Sequence, residues 1–278
     1  MMQRMRGTAT SYISLLGRRL PLCSFATRGV RCEWKSCRVV SIRSKDANGS
    51  LSAVQGMERL RSLLLPNTGV TGDLESLRNL TDLTWLHLKN TGVRGDLESL
   101  QSLSELEGVN LANTGVTGDL VNLKHLTDLK GLRLQNTRVT GDLKSLRGLE
   151  HLVSLYLGNT GVRGGLESLH NLTGLKGLRL DHTGVRGHIE NLHNLTNFEY
   201  LHLGNTGVHG DIQNLQELSE LKELSLDHTG AEGDIEALVH FPALEVAKLR
   251  GTAVTGWISH SWDGQCKELR ELHLEVRG

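Results

Sequence analysis

The chain has 278 residues, with 31 basic and 31 acidic side chains and 4% aromatic residues, so it carries no global field that would gather nucleic acid or an anionic membrane. It contains no apolar run of about 18 residues or more, so no transmembrane helix is expected. The four cysteines, Cys23, Cys32, Cys37 and Cys266, are too sparse for a disulfide-built scaffold.

In chain order, residues 1–31 hold six arginines, six Ser/Thr and no acidic residue. That bias is the one of an organellar transit peptide; a disordered segment is the alternative reading. A secretory signal fits less well, because its apolar core at Tyr12 to Leu16 is cut short by Gly17-Arg18-Arg19.

A Thr-Gly-Val core then recurs with a fixed period. Its threonines are Thr68, Thr91, Thr114, Thr137, Thr160, Thr183, Thr206, Thr229 and Thr252, each 23 residues after the last (91 − 68 = 23). A period this strict predicts one elongated α/β repeat solenoid rather than the one or two globular domains that length alone suggests. Residues 32–56 read as a degenerate N-terminal capping repeat, with Val40 and Ile42 where Leu63 and Leu65 stand one period later. Good copies fill 57–256. Residues 257–278 read as a divergent last repeat with a strand at Leu272-His273-Leu274 and no clear C-terminal cap, the expectation for a fragment of a longer protein.

Within one repeat, 80–102, the leucine spacing shortens from three (Leu80, Leu83, Leu86) to two (Leu86, Leu88), which predicts a strand at Leu86-His87-Leu88 with side chains alternating in and out. Val93 and Leu97 point inward across a tight turn that Gly92 and Gly95 permit, and Leu100 and Leu103 return at helical spacing. Asp96 and its copies Asp73, Asp119, Asp142, Asp211 and Asp234 read as N-caps of a short helical or 3₁₀ turn, whereas Gly165 and His188 break the rule. One repeat cannot bury its apolar face alone, so stability must come from stacking.

The string Leu80-Thr-Asp-Leu83-Thr-Trp-Leu86-His-Leu88-Lys-Asn-Thr91 resembles the leucine-rich-repeat signature, with threonine where asparagine is commonest. Val93-Arg-Gly95-Asp-Leu97 and Val208-His-Gly210-Asp-Ile212 resemble the plant-type subclass of receptor-like kinase and receptor-like protein ectodomains, without its proline and one residue shorter per repeat. Cys32-Glu-Trp34-Lys-Ser-Cys37-Arg-Val39 resembles, in compressed form, the cap that opens those ectodomains. The resemblance spans about residues 32–276. It implies a horseshoe with a parallel β-sheet on the concave face and short 3₁₀, helical or extended segments on the convex face. It also implies a Cys32–Cys37 disulfide and an oxidising compartment. An extracellular or membrane-associated setting follows from the cap, an organellar or cytoplasmic one from the arginine-rich N-terminus, and the sequence leaves both open. The sequons at Asn48, Asn79, Asn171 and Asn194 add little, since three arise from the repeat's own Asn-Leu-Thr phrase.

The threonines are expected to form a structural ladder of buried hydroxyls at the strand exits. On the concave face the residues between paired leucines have no packing reason to be what they are, so their aromatic and arginine content marks a partner-binding strip. Its expected members are Trp85, His87, Arg133, Tyr156, Arg179, Tyr200 and His202, densest at Arg133, Tyr156 and Arg179, with Gly131 and Gly177 leaving room around the arginines. Asp181-His182 and Asp227-His228 lie two strand spacings apart, about 9.6 Å, too far for shared metal ligation. No GxSxG, HExxH, GxxxxGK[ST] or kinase motif is present. The expectation is a monomeric, non-enzymatic recognition module without metal or cofactor, binding a protein or peptide and no nucleic acid, as the sensing part of a receptor-like protein. An intracellular adaptor or a secreted enzyme-inhibitor type of repeat protein is the alternative.

Overall fold

The computed structural model describes residues 30–33, 38–257, 262 and 266–274. Residues 1–29 of the expected targeting or disordered segment 1–31, and Trp34 and Cys37 of the expected cap, lie outside the described residues.

Each repeat is one coil of a solenoid, built from a three-residue strand, a five-residue strand and a 3₁₀ turn, as in Trp85–His87, Gly92–Asp96 and Leu97–Leu100. The short strands stack in sequence order into a sheet in which Leu63, Leu86, Val109, Leu132, Leu155, Leu178, Leu201 and Leu224 lie opposite one another in parallel register. All eight are buried, and with Leu80, Leu83, Leu88, Val93, Leu97 and Leu100 and their copies they form one continuous core along the array. The residues on either side of each central leucine therefore face out, onto the concave surface.

The sequence-based strand is one residue late. The strand is Trp85–His87, and just past its end the Leu88 N–H still donates to Asn110 O at 2.9 Å. A larger difference lies in Gly-Val-Arg-Gly-Asp, read above as a tight turn. It is a strand, and its copies form a second parallel sheet of ten strands. Gly95, with φ at 114°, does need glycine, but Gly92 is there because a Cβ would come within 2.9 Å of Thr71 Cγ2 on the neighbouring strand.

Asp73, Asp96, Asp119, Asp142, Asp211 and Asp234 each accept a hydrogen bond from the N–H two residues on, capping the 3₁₀ turns. Gly165 and His188 make no side-chain cap. All nine repeat threonines donate their hydroxyl to the carbonyl of the leucine three residues earlier, at 2.5–2.7 Å. These bonds stay inside one repeat. Asparagines make the rung between repeats: Asn67, Asn90, Asn113, Asn136 and Asn159 sit in the left-handed region at φ 54–57°, and from Asn90 on each Nδ2 donates to the Oδ1 of the asparagine before it at 2.5–2.9 Å. Asparagine tolerates that backbone better than other side chains.

The array opens with an antiparallel pair, Val30–Glu33 and Arg38–Arg43. Ile42, not Val40, lies opposite Leu63. The first strand thus pairs at a spacing of 21 where later concave strands pair at 23, a shift that keeps its alternation in phase because two residues preserve the side-chain face. At the other end the strand is Glu271–His273, one residue before the expected Leu272-His273-Leu274, and Lys248 pairs with His273.

Candidate functional site

Alternation in the short strands puts two outward rows on the concave sheet. One runs Leu64, His87, Asn110, Arg133, Tyr156, Arg179, His202, Ser225, and the other Ser62, Trp85, Gly108, Gly131, Ser154, Gly177, Tyr200, Glu223. All seven expected strip residues lie on this face. Trp85 and His87 are five strands from Tyr200 and His202, about 24 Å at the usual strand spacing, so the two ends do not meet.

The centre is where contact is made. The Tyr156 ring lies between two guanidinium groups, Arg133 Cζ at 4.8 Å from its centroid and Arg179 Cζ at 5.3 Å, an arrangement the ring quadrupole favours. Gly177 leaves room for Tyr156 and not, as expected above, for the arginines: a Cβ there would stand 2.7 Å from the tyrosine Oη. Gly108 does the same for Trp85, whose indole lies across it. Gly131 faces only Ser154 Oγ, 3.3 Å from where its Cβ would be. The result is a depression of about 340 Å³ whose walls include Trp85, His87, Gly108, Lys130 and Arg133.

Charge is distributed unevenly. Glu199 sits between Lys176 and Lys222 at 3.1 and 2.8 Å, and these lysines hold its carboxyl below the usual range. Glu107 takes Lys130 at 2.8 Å. Glu223 accepts from His202 Nε2 at 2.9 Å and lies 3.7 Å from Arg179. Arg133 has no carboxylate partner among the described residues. It is exposed and stacked on Tyr156, a cation held in place yet free to pair with an incoming anion.

The two strip histidines are neutral near pH 7. Burial, with help from Arg133 and Lys89, pushes His87 below its ordinary 6.5. Its Nε2 accepts from Asn110 Nδ2 at 3.2 Å, since an amide nitrogen can only donate. His202 is lowered by burial and Arg179, against the pull of Glu223. Asn110 and Glu223 stand in the outward rows but are not among the expected strip members, because neither is aromatic or basic. Asp181 and Asp227 serve the turns: Asp181 fills the space beside Gly158, and Asp227 Oδ1 accepts from Arg250 N at 2.8 Å. No group of three or more His, Cys, Asp or Glu poised for a metal occurs among the described residues.

No protein-family model and no curated protein matches the chain. Solved structures do. A TDR receptor superposes with a TM-score of 0.73 at 25% identity, over 84% of this chain and 42% of that one. The ectodomain of the Arabidopsis receptor kinase HAESA, in complex with an N-terminally extended IDA peptide hormone, gives 0.72 at 22% identity, over 89% and 47%. A plant ice-binding protein gives 0.70 at 20% identity, over 88% and 84%. The chain spans half or less of the length of the plant receptor chains it matches.

Proposed function

We propose that this chain, a leucine-rich-repeat protein whose fold resembles plant-type receptor ectodomains, is a non-enzymatic recognition module that binds an extended peptide across its concave sheet, as the sensing part of a receptor-like protein. The observation that carries the reading is the Arg133–Tyr156–Arg179 stack with Arg133 left without an acidic partner, beside the depression under Trp85. A rigid aromatic and a pre-positioned arginine are the side chains that dominate binding energy at interfaces, because little entropy is lost in fixing them. Peptide complexes of fold neighbours add support: HAESA carries its IDA peptide and RGFR1 its RGF2.

The spacing sets the ligand's dimensions. Reaching from Trp85 to Tyr200 takes about 24 Å, some seven residues of extended peptide at about 3.3 Å each. The chemistry sets its composition: an apolar or aromatic side chain for the depression, and a carboxylate or other anion for Arg133. Panning an extended-peptide library against the native chain, and against an Arg133→Ser, Tyr156→Ser, Arg179→Ser variant of equal thermal stability, tests this. Peptides with an anionic residue should be captured by the native chain and lost, by roughly 100-fold or more if two hot-spot contacts are removed, from the variant. Equal capture by both would mean that the wrong face was chosen.

A further inference from the structure

On the second sheet neighbouring strands are staggered. They pair at an offset of 21 residues, so His188, at the end of Gly184–His188, lies opposite His209 in the middle of Gly207–Asp211. His188 departs from its column, standing where six other repeats carry a capping aspartate. His209 belongs to a variable column that also holds Thr71, Arg94, Thr117, Thr140, Arg163, Arg186 and Glu232. The stagger brings the two histidines together. Their ring centroids are 4.1 Å apart and tilted by 57°, and their Nε2 atoms are 3.2 Å apart.

The protonation pattern suits ligation. His209 Nδ1 is 3.3 Å from the Gly207 carbonyl oxygen, which can only accept, so Nδ1 carries the proton and Nε2 turns its lone pair toward His188. A backbone carbonyl on one ring nitrogen is the usual way a protein fixes a histidine for metal binding through the other. Both side chains are exposed, and His188 is released from capping.

We propose that His188 and His209 form a two-histidine clamp for a borderline divalent transition metal such as Cu²⁺, Ni²⁺ or Zn²⁺. With metal–nitrogen bonds of about 2.0–2.1 Å, the 3.2 Å separation of the Nε2 atoms gives an N–metal–N angle of about 100°. That lies between the cis angle of a square-planar ion and the tetrahedral angle. No oxidant or reductant is involved. The one proton between the two Nε2 atoms moves to Nδ1 of His188, both rings ligate in neutral form, and the metal gives up two waters while keeping others. The adjoining depression of about 420 Å³ holds Arg186, Lys144 and Arg147 beside Glu167 and Asp142. This surrounding favours imidazole-seeking ions over Ca²⁺ and Mg²⁺, which bind through oxygen ligands and need more of them than this surface offers.

The test is calorimetric titration of the full chain with NiCl₂ and CuCl₂, beside His188→Gly and His209→Thr, each of which installs a non-ligating residue that another repeat carries in that column, Gly165 for the first and Thr117 or Thr140 for the second. The native chain should bind one ion more tightly than its remaining histidines and cysteines do, and each variant should weaken that event by at least about tenfold through loss of one of two ligands. The Cu²⁺ electron paramagnetic resonance spectrum should show two equivalent nitrogens in the native chain and lose that pattern in both variants. Coincident isotherms for the native chain and either variant would overturn the clamp, as would full competition by an equal concentration of MgCl₂.

Discussion

His87 and His202 are half-buried, with guanidinium groups nearby, and their pH behaviour has a definite sign. Folding lowers both pKa values from the ordinary 6.5. A histidine held neutral by the fold resists the proton that the unfolded chain accepts, so the stability it contributes is complete above about pH 6.5 and is lost as pH falls below that value. Thermal stability should therefore decline between pH 7 and pH 5, and a His87→Asn, His202→Gln variant should decline less; equal slopes in scanning calorimetry would show that these rings are not the titrating groups. The strip positions were legible in the sequence because a period of two assigns them to one face whatever their identity. Their partners were not. Asn110 holding His87, and Glu223 shared by His202 and Arg179, depend on which outward residues become neighbours and on how each side chain leans, and leucine spacing contains neither.

At the scale of the element, the second sheet carries most of what the sequence concealed. Two glycines in every five residues read as a turn, because glycine weakens a strand by its entropy. Here the array reverses the preference: each glycine lets a neighbouring strand or capping carboxylate approach, and the same approach is repeated down the stack. Gly95 illustrates this. Its φ is 114°, the Asp73 carboxylate lies against the place a Cβ would occupy, and Leu74 N is 2.9 Å from it. Gly95→Ala should cost about 1–3 kcal/mol from backbone strain alone, measured by denaturant unfolding; Gly148→Ala, with nothing within 4 Å of the added methyl, is the control and should be near neutral. A similar loss at both sites would remove the argument. The offset of 21 on this sheet is equally hidden, because a strict repeat of 23 suggests that equivalent residues are neighbours. That is true of the concave sheet and false of the second, where His188 meets His209 rather than Asp211.

For the whole molecule, the period alone determined the architecture: each coil is too small to bury its leucines, stacking is the only way to cover them, and the outcome is a one-dimensional core from Ile42 to Leu249. The ends obey the period least. The first strand enters from an antiparallel pair with Ile42 against Leu63, and the last pairs Lys248 with His273 at a spacing of 25. Terminal repeats have a neighbour on one side only, so the stacking constraint that enforces the register is halved there. Along the interior that constraint frees the concave rows to vary, and their one dense cluster, at Arg133, Tyr156 and Arg179, is the basis of the proposed recognition. The most direct measurement is cross-linking of a captured peptide that carries a photoreactive residue at its centre, with the attachment sites mapped by mass spectrometry. Attachment at Tyr156 or at Arg133 and Arg179 on the adjoining strands, with none on the second sheet, is the predicted result. Attachment confined to the second sheet, at Arg163, Arg186 or His209, would contradict the account.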